Sequence, residues 1–182
     1  MSGASIVGVV ASLTPGGRTS TAVAGVLLGA AKAGAATSLI ELSDVAAEEA
    51  LAAFAEADAV VLGSPVYRAT YSALLKDLLE RTERGKWGER TAPLQGKAAA
   101  TVLTGASAHY FLAANDLRSV LAGFFAVQVL SPGLYLDHSD YRDRSSLTED
   151  SAELAATHGA ALADLTSAVR ASHALSALTP QI

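Results

Sequence analysis

The chain has 182 residues, 51% of them hydrophobic, with 13 Lys and Arg against 18 Asp and Glu and a formal net charge of -5. That length supports one well-buried core rather than two domains, and the acidic balance withholds the basic face that a nucleic-acid binder needs. With no cysteine, disulfides, thiolate metal sites and thiol catalysis are excluded together, which suits a reducing compartment.

Ser5 to Ala11 is a β-branched run bounded by a Ser/Thr/Pro/Gly loop, the pattern of a strand buried on both faces. A helix is expected from Thr19 to Ala33, ending near Gly34, then a strand from Thr37 to Glu41. Ser43 or Asp44 can cap a second helix running through Phe54, with Glu48 and Glu49 in its early turns. Asp58 to Gly63 reads as a third strand that stops at Ser64-Pro65, where proline disfavours sheet pairing. Tyr71, Leu74, Leu75, Leu78 and Leu79 recur at helical spacing, so an amphipathic helix ends before Gly85.

Lys97 to Leu103 is expected as a fourth strand, His109 to Ala122 as helix and Phe124 to Leu130 as a fifth strand. Leu154, His158, Ala161, Leu162, Leu165 and Val169 mark one face of a last helix. The charged stretch from Asp137 to Asp150 is a candidate lid, and residues 172–182 are a tail expected to fray after a domain of residues 1–171. Strands alternating with helices imply an α/β fold, a five-stranded parallel sheet with helices on both faces and right-handed crossovers. Every apolar run is broken well before the ~20 residues of a membrane span, and no basic region precedes the first strand. A soluble, cytoplasmic protein with no membrane or nucleic-acid partner is expected.

In such a sheet, ligands bind beyond the carboxyl ends of the strands where strand order reverses. The loop from Ser12 to Thr21 combines hydroxyls, glycines and one cation, Arg18, ahead of a helix N-terminus. That is either a phosphate cradle or an ordinary capped turn. It is neither a dinucleotide fingerprint nor a Walker A loop. A second loop runs from Gly63 to Ser72, and a third from Thr104 to His109 carries small residues that let a flat ring approach the backbone.

The second loop, with Pro65, Val66, Tyr67, Tyr71, Ser72, Leu75, Lys76, Leu79 and Glu80, resembles the P-V-Y-x-x-x-Y-S-x-x-L-K-x-x-L-D/E run of NAD(P)H-dependent FMN reductases. The resemblance extends from Ser12 to about Tyr135, most closely to the reductase components of two-component alkanesulfonate monooxygenases. It implies a flavodoxin-like three-layer sandwich and hydride transfer from NAD(P)H to the N5 atom of FMN. It also implies a flavin-dependent monooxygenase as partner and a homodimer or homotetramer. By position, Ser12, Thr14, Gly17, Arg18, Thr19 and Ser20 would hold the FMN phosphate, with Thr14 standing where the family often has arginine. Pro65, Val66, Tyr67 and Arg68 would line the ring, and Thr104, Gly105, Ala106 and Ser107 would meet its pyrimidine side. No residue is assigned as a general acid or base, because the cofactor carries the chemistry.

Alternatives of other classes read less well. Gly105 to His109 superficially matches a nucleophile elbow but lacks its last glycine and an ordered Asp and His. His138, near Asp137 and Asp140, has no second histidine at ligand spacing. Arg142 and Arg144 either meet the NADPH phosphate or are neutralised by Asp140 and Asp143, the latter being favoured. A quinone, azo or chromate reductase that retains FMN and a flavodoxin-type electron carrier remain as rivals on the same fold.

Overall fold

A computed structural model describes residues 3–181. Its elements in chain order are β1 (Ser5–Val10), α1 (Arg18–Lys32), β2 (Ala36–Glu41), α2 (Ala47–Glu56), β3 (Ala59–Tyr67), β4 (Thr70–Tyr71) and α3 (Ala73–Arg81). These are followed by β5 (Ala98–Thr104), α4 (Ala113–Ser119), β6 (Gln128–Val129), β7 (Leu134–Leu136), β8 (Tyr141–Asp143), β9 (Ser146–Leu147), α5 (Glu149–Ala171) and α6 (His173–Ser176). The parallel strands lie in the order β2-β1-β3-β5, with β6 and β7 sharing the far side of β5. That order is flavodoxin-like. One core, containing Ile6, Val10, Val61 and Val102, packs under α1 and α5; the other, containing Val9, Leu62 and Leu103, packs under α2, α3 and α4.

Several boundaries depart from the sequence reading, each for a local reason. β3 does not stop at Ser64-Pro65: Pro65 pairs in register with Thr104, and the strand runs on to Tyr67. Gly63 faces β1, its carbonyl accepting from the Ala11 N–H at 2.8 Å, so Pro65, two residues on, faces the side where β1 has already ended. Its missing N–H costs no ladder bond there. α2 starts at Ala47 without a side-chain cap, because Ser43 Oγ donates to Asp44 Oδ1 at 3.1 Å in the preceding turn. The expected helix from His109 divides into a 3-10 turn at Ala108–Tyr110, α4, and a π turn at Val120–Phe124 that absorbs the start of the expected fifth strand. That strand is itself interrupted between β6 and β7 by a bend at Ser131 and Pro132.

The charged stretch after β7 is folded rather than loose. Asp137 and Asp140 form a capping box around a 3-10 turn, and β8 and β9 form an antiparallel hairpin. The tail begins with α6, capped by Ser172, whose Oγ accepts from Leu175 N–H at 3.2 Å.

α5 turns a different face inward from the one its large residues suggested. Ser151, Ala155, Gly159, Leu162, Thr166 and Val169 are buried, whereas Leu154 is 45% exposed. The neighbour explains it, since α1 approaches too closely for leucine. A Cβ on Gly159 would lie 1.9 Å from the Val26 carbonyl oxygen, and one on Gly29 would lie 2.0 Å from that of Ala156. Two glycines, one on each helix, thus bring the two backbones together.

Candidate functional site

The loops after β1, β3 and β5 converge on a pocket of about 480 Å³, within the usual range for small-molecule sites. Ser12, Thr14, Gly17, Arg18 and Thr19 line it from the first loop, and Pro65, Val66 and Tyr67 from the second. Thr104, Gly105 and Ala106 line it from the third. Ser20, Arg68 and Ser107, expected at the site, lie outside this lining, while His138 and Arg144 belong to it.

The first loop is shaped by its own hydroxyls. Ser12 Oγ accepts from the Thr14 N–H at 3.2 Å, and Thr19 Oγ1 shares a 2.7 Å hydrogen bond with Thr104 Oγ1, which ties the first loop to the third. α1 begins at Arg18 with no side-chain cap from Gly17 and no acid in its first turn. Its N-terminal partial positive charge thus meets no acid of its own first turn; Glu41 reaches only the preceding Gly16 N–H, at 3.2 Å. The Arg18 guanidinium lies 5.6 Å from the centroid of the Tyr141 ring, and its Nε is buried with no hydrogen-bond partner. The Tyr141 hydroxyl donates to the Arg18 carbonyl at 3.0 Å, and burial pushes that phenol far above its ordinary pKa.

The second loop is a tight hairpin. Tyr67 pairs with Thr70, and the two residues between them, Arg68 (φ +52°) and Ala69 (φ +67°), both occupy the left-handed region. That backbone is the type I′ pattern, which usually calls for Asn-Gly. The conformation is imposed from its base, where Ser72 N–H donates to Ser64 Oγ at 2.8 Å and Ser72 Oγ donates to the Ala11 carbonyl at 2.8 Å. Tyr67 stands 53% exposed at the pocket mouth, and Arg68 sits at the exposed tip.

In the third loop, Gly105 lines the pocket and also makes room for a neighbour within the chain. Its φ is not positive, and a Cβ there would lie 1.9 Å from the Tyr135 hydroxyl oxygen. That hydroxyl donates to the Ser107 carbonyl at 2.7 Å. Gly105→Ala should displace Tyr135 and lower stability by about 1–3 kcal/mol, the usual range for overpacking. Tyr135→Phe in the same chain should restore part of it, and urea unfolding of both variants checks this. Unchanged stability in Gly105→Ala would show that Tyr135 moves freely.

Arg144 reaches the site because neither nearby acid holds it. Hydrogen bonds from the Ser146 side chain and from Ser145 hold the Asp143 carboxyl down at about 2, so that carboxylate is ionised and engaged within the hairpin turn. Asp140 accepts from Asp137 N–H and Ser151 Oγ, each at 2.7 Å. The mutual neutralisation expected of this segment therefore does not occur among the described residues. The Asp-x-Ser-Ser sequence was the available signal, because a short acid followed by serines closes on its own turn.

A larger depression of about 620 Å³ lies between α2, the end of α3 and the segment leading to β5. Its polar groups are already engaged: Lys97 Nζ donates to the Phe54 and Ala55 carbonyls, and Thr91 donates to Glu83. The smaller pocket, where unpaired cations meet orphan helix N–H groups, is the better candidate for an anionic ligand.

Comparison with known proteins agrees with this geometry. The family of NADPH-dependent FMN reductases matches the chain over residues 4–141. The chain belongs to that family. The match contains all three loops of the FMN reductase pocket and His138, and it ends before Arg144. An FMN reductase (NADPH) of Escherichia coli K12 is 36% identical over 97 residues, which cover 51% of this chain and 47% of that protein. The match thus spans about half the length of that relative. Among solved structures, the apo form of an NADH:FMN oxidoreductase has a TM-score of 0.76 at 22% identity, covering 95% of this chain and 94% of the other. A WrbA-like flavodoxin from Agrobacterium tumefaciens has a TM-score of 0.71 at 21% identity, covering 91% and 98% respectively. These two likenesses show the shared fold.

Proposed function

We propose that this family member is an NAD(P)H:FMN oxidoreductase of the cytosol that supplies reduced flavin to a partner monooxygenase, acting as a homodimer or homotetramer. The observation that carries the reading is the convergence, within the family match, of a phosphate-ready loop on an apolar and aromatic wall. The residues present fit FMN: the unpartnered Arg18 Nε and the uncapped start of α1 suit a phosphate, and Pro65, Val66 and Tyr67 suit a flat ring. When bound, FMN supplies the hydride acceptor for a reduced nicotinamide.

The protein's own contribution is binding and orientation. Ser12, Thr19 and Arg18 hold the phosphate end, and the tight hairpin fixes Pro65 to Tyr67 as the ring's platform. Direct hydride transfer requires no side-chain acid or base in this pocket. No helix among the described residues is long and apolar enough to cross a membrane.

Purified protein should oxidise NAD(P)H at a rate set by added free FMN, followed by nicotinamide absorbance. Turnover with a quinone but none with free FMN would replace this reading with a reductase that retains its flavin. FMN binding without any NAD(P)H oxidation would point instead to an electron carrier.

A further inference from the structure

We infer that Arg144, on the β8–β9 hairpin beyond the family match, is a second phosphate-binding cation, so that two arginines grip the anionic end of the ligand. This rests on the reading of the pocket as an FMN site.

Two guanidiniums line one pocket without a carboxylate between them. Arg18 brings a buried Nε that has no partner, and Arg144 has no ion pair among the described residues. The Arg144 guanidinium lies 3.9 Å from where a Cβ on Gly17 would stand, directly beside the uncapped start of α1. Glu41 is the acid closest to this loop in the hydrogen-bond network, but it accepts from the Gly16 N–H at 3.2 Å and does not line the pocket. In a chain of net charge -5, two unneutralised cations at one helix N-terminus repel each other unless an anion lies between them.

The hairpin is also fastened to the first loop. The Tyr141 hydroxyl donates to the Arg18 carbonyl at 3.0 Å, and Thr21 Oγ1 shares its proton between the Gly17 carbonyl at 3.2 Å and the Arg144 carbonyl at 3.3 Å. These bonds set Arg144 in place through its backbone, which leaves its side chain available to a ligand. Both arginines of the hairpin are exposed, but Arg144 lines the pocket and Arg142 does not.

The test is fluorescence titration of the full chain with FMN and with riboflavin, which lacks the phosphate. Arg144→Ala should weaken FMN binding about tenfold, the effect of losing one charge-assisted hydrogen bond, and leave riboflavin binding unchanged. Arg144→Lys should recover part of the loss, and Arg142→Ala should match the parent. An unchanged ratio of FMN to riboflavin affinity in Arg144→Ala overturns the inference while leaving the FMN site intact. Absence of FMN binding by the parent protein overturns the reading of the site and this inference with it.

Discussion

Gly159→Ala should melt roughly 6–12 °C below the parent, the shift that about 3 kcal/mol produces in a chain of this size. A methyl group at residue 159 would lie 1.9 Å from the Val26 carbonyl oxygen, and a backbone atom cannot rotate aside as a side-chain end can. α5 must therefore move away from α1, opening the core that contains Val23, Val26 and Leu162. Overpacking usually costs about 1–3 kcal/mol and occasionally more, and a backbone-to-backbone clash belongs at the upper end. Thermal unfolding followed by circular dichroism measures the shift. A melting temperature within a degree or two of the parent's would mean that the two helices separate at little cost and that the glycines do not set their distance.

Arg18→Ala should weaken FMN binding by about ten- to a hundredfold, since a charge-assisted hydrogen bond contributes roughly 1.5–3 kcal/mol and each ~1.4 kcal/mol is a factor of ten. Arg18 is the cation of the first loop, and its Nε is buried without a partner in the chain. Riboflavin affinity should stay within about twofold, because riboflavin carries no phosphate for Arg18 to meet. The Arg18 carbonyl that accepts from Tyr141 is retained in the variant. A stability measurement alongside the titration separates lost ring stacking on Tyr141 from lost phosphate binding. Equal weakening of both ligands, or of neither, would assign Arg18 to the fold and leave the phosphate to backbone N–H groups and the hydroxyls of Ser12 and Thr19.

The parts of the molecule legible in the sequence are those with a period or a local cap. β1 reads directly from its apolar run and α3 from its leucine spacing, although Tyr71, counted with that spacing, lies in β4 because Ser72 caps the helix after it, its Oγ accepting from Leu75 N–H at 3.2 Å. The passage of β3 through Pro65 was not legible, because it depends on where β1 ends. The buried face of α5 was hidden by its leucines, since a helix that meets another through glycine turns small residues inward. Within the site, the three loops could be placed from strand order alone. Arg144 was a candidate beside Arg142, but choosing between them was beyond the sequence, because Arg144 meets Thr21 across 123 residues of chain while Asp143 folds onto its own serines.

The pairing of α1 with α5 also bears on how the protein is made. α1 spans Arg18–Lys32 and α5 spans Glu149–Ala171, so the ribosome delivers one helix long before the other. Until α5 emerges, Val26 and Ala30 of α1 and Val102 and Leu134 of the sheet lack the cover they have in the finished fold. Contacts this distant in sequence form late, and half-covered sheets are prone to association with other chains. The nascent chain thus completes its sheet with one side covered by α1 alone, which makes that interval one in which chaperones or slowed translation would affect yield.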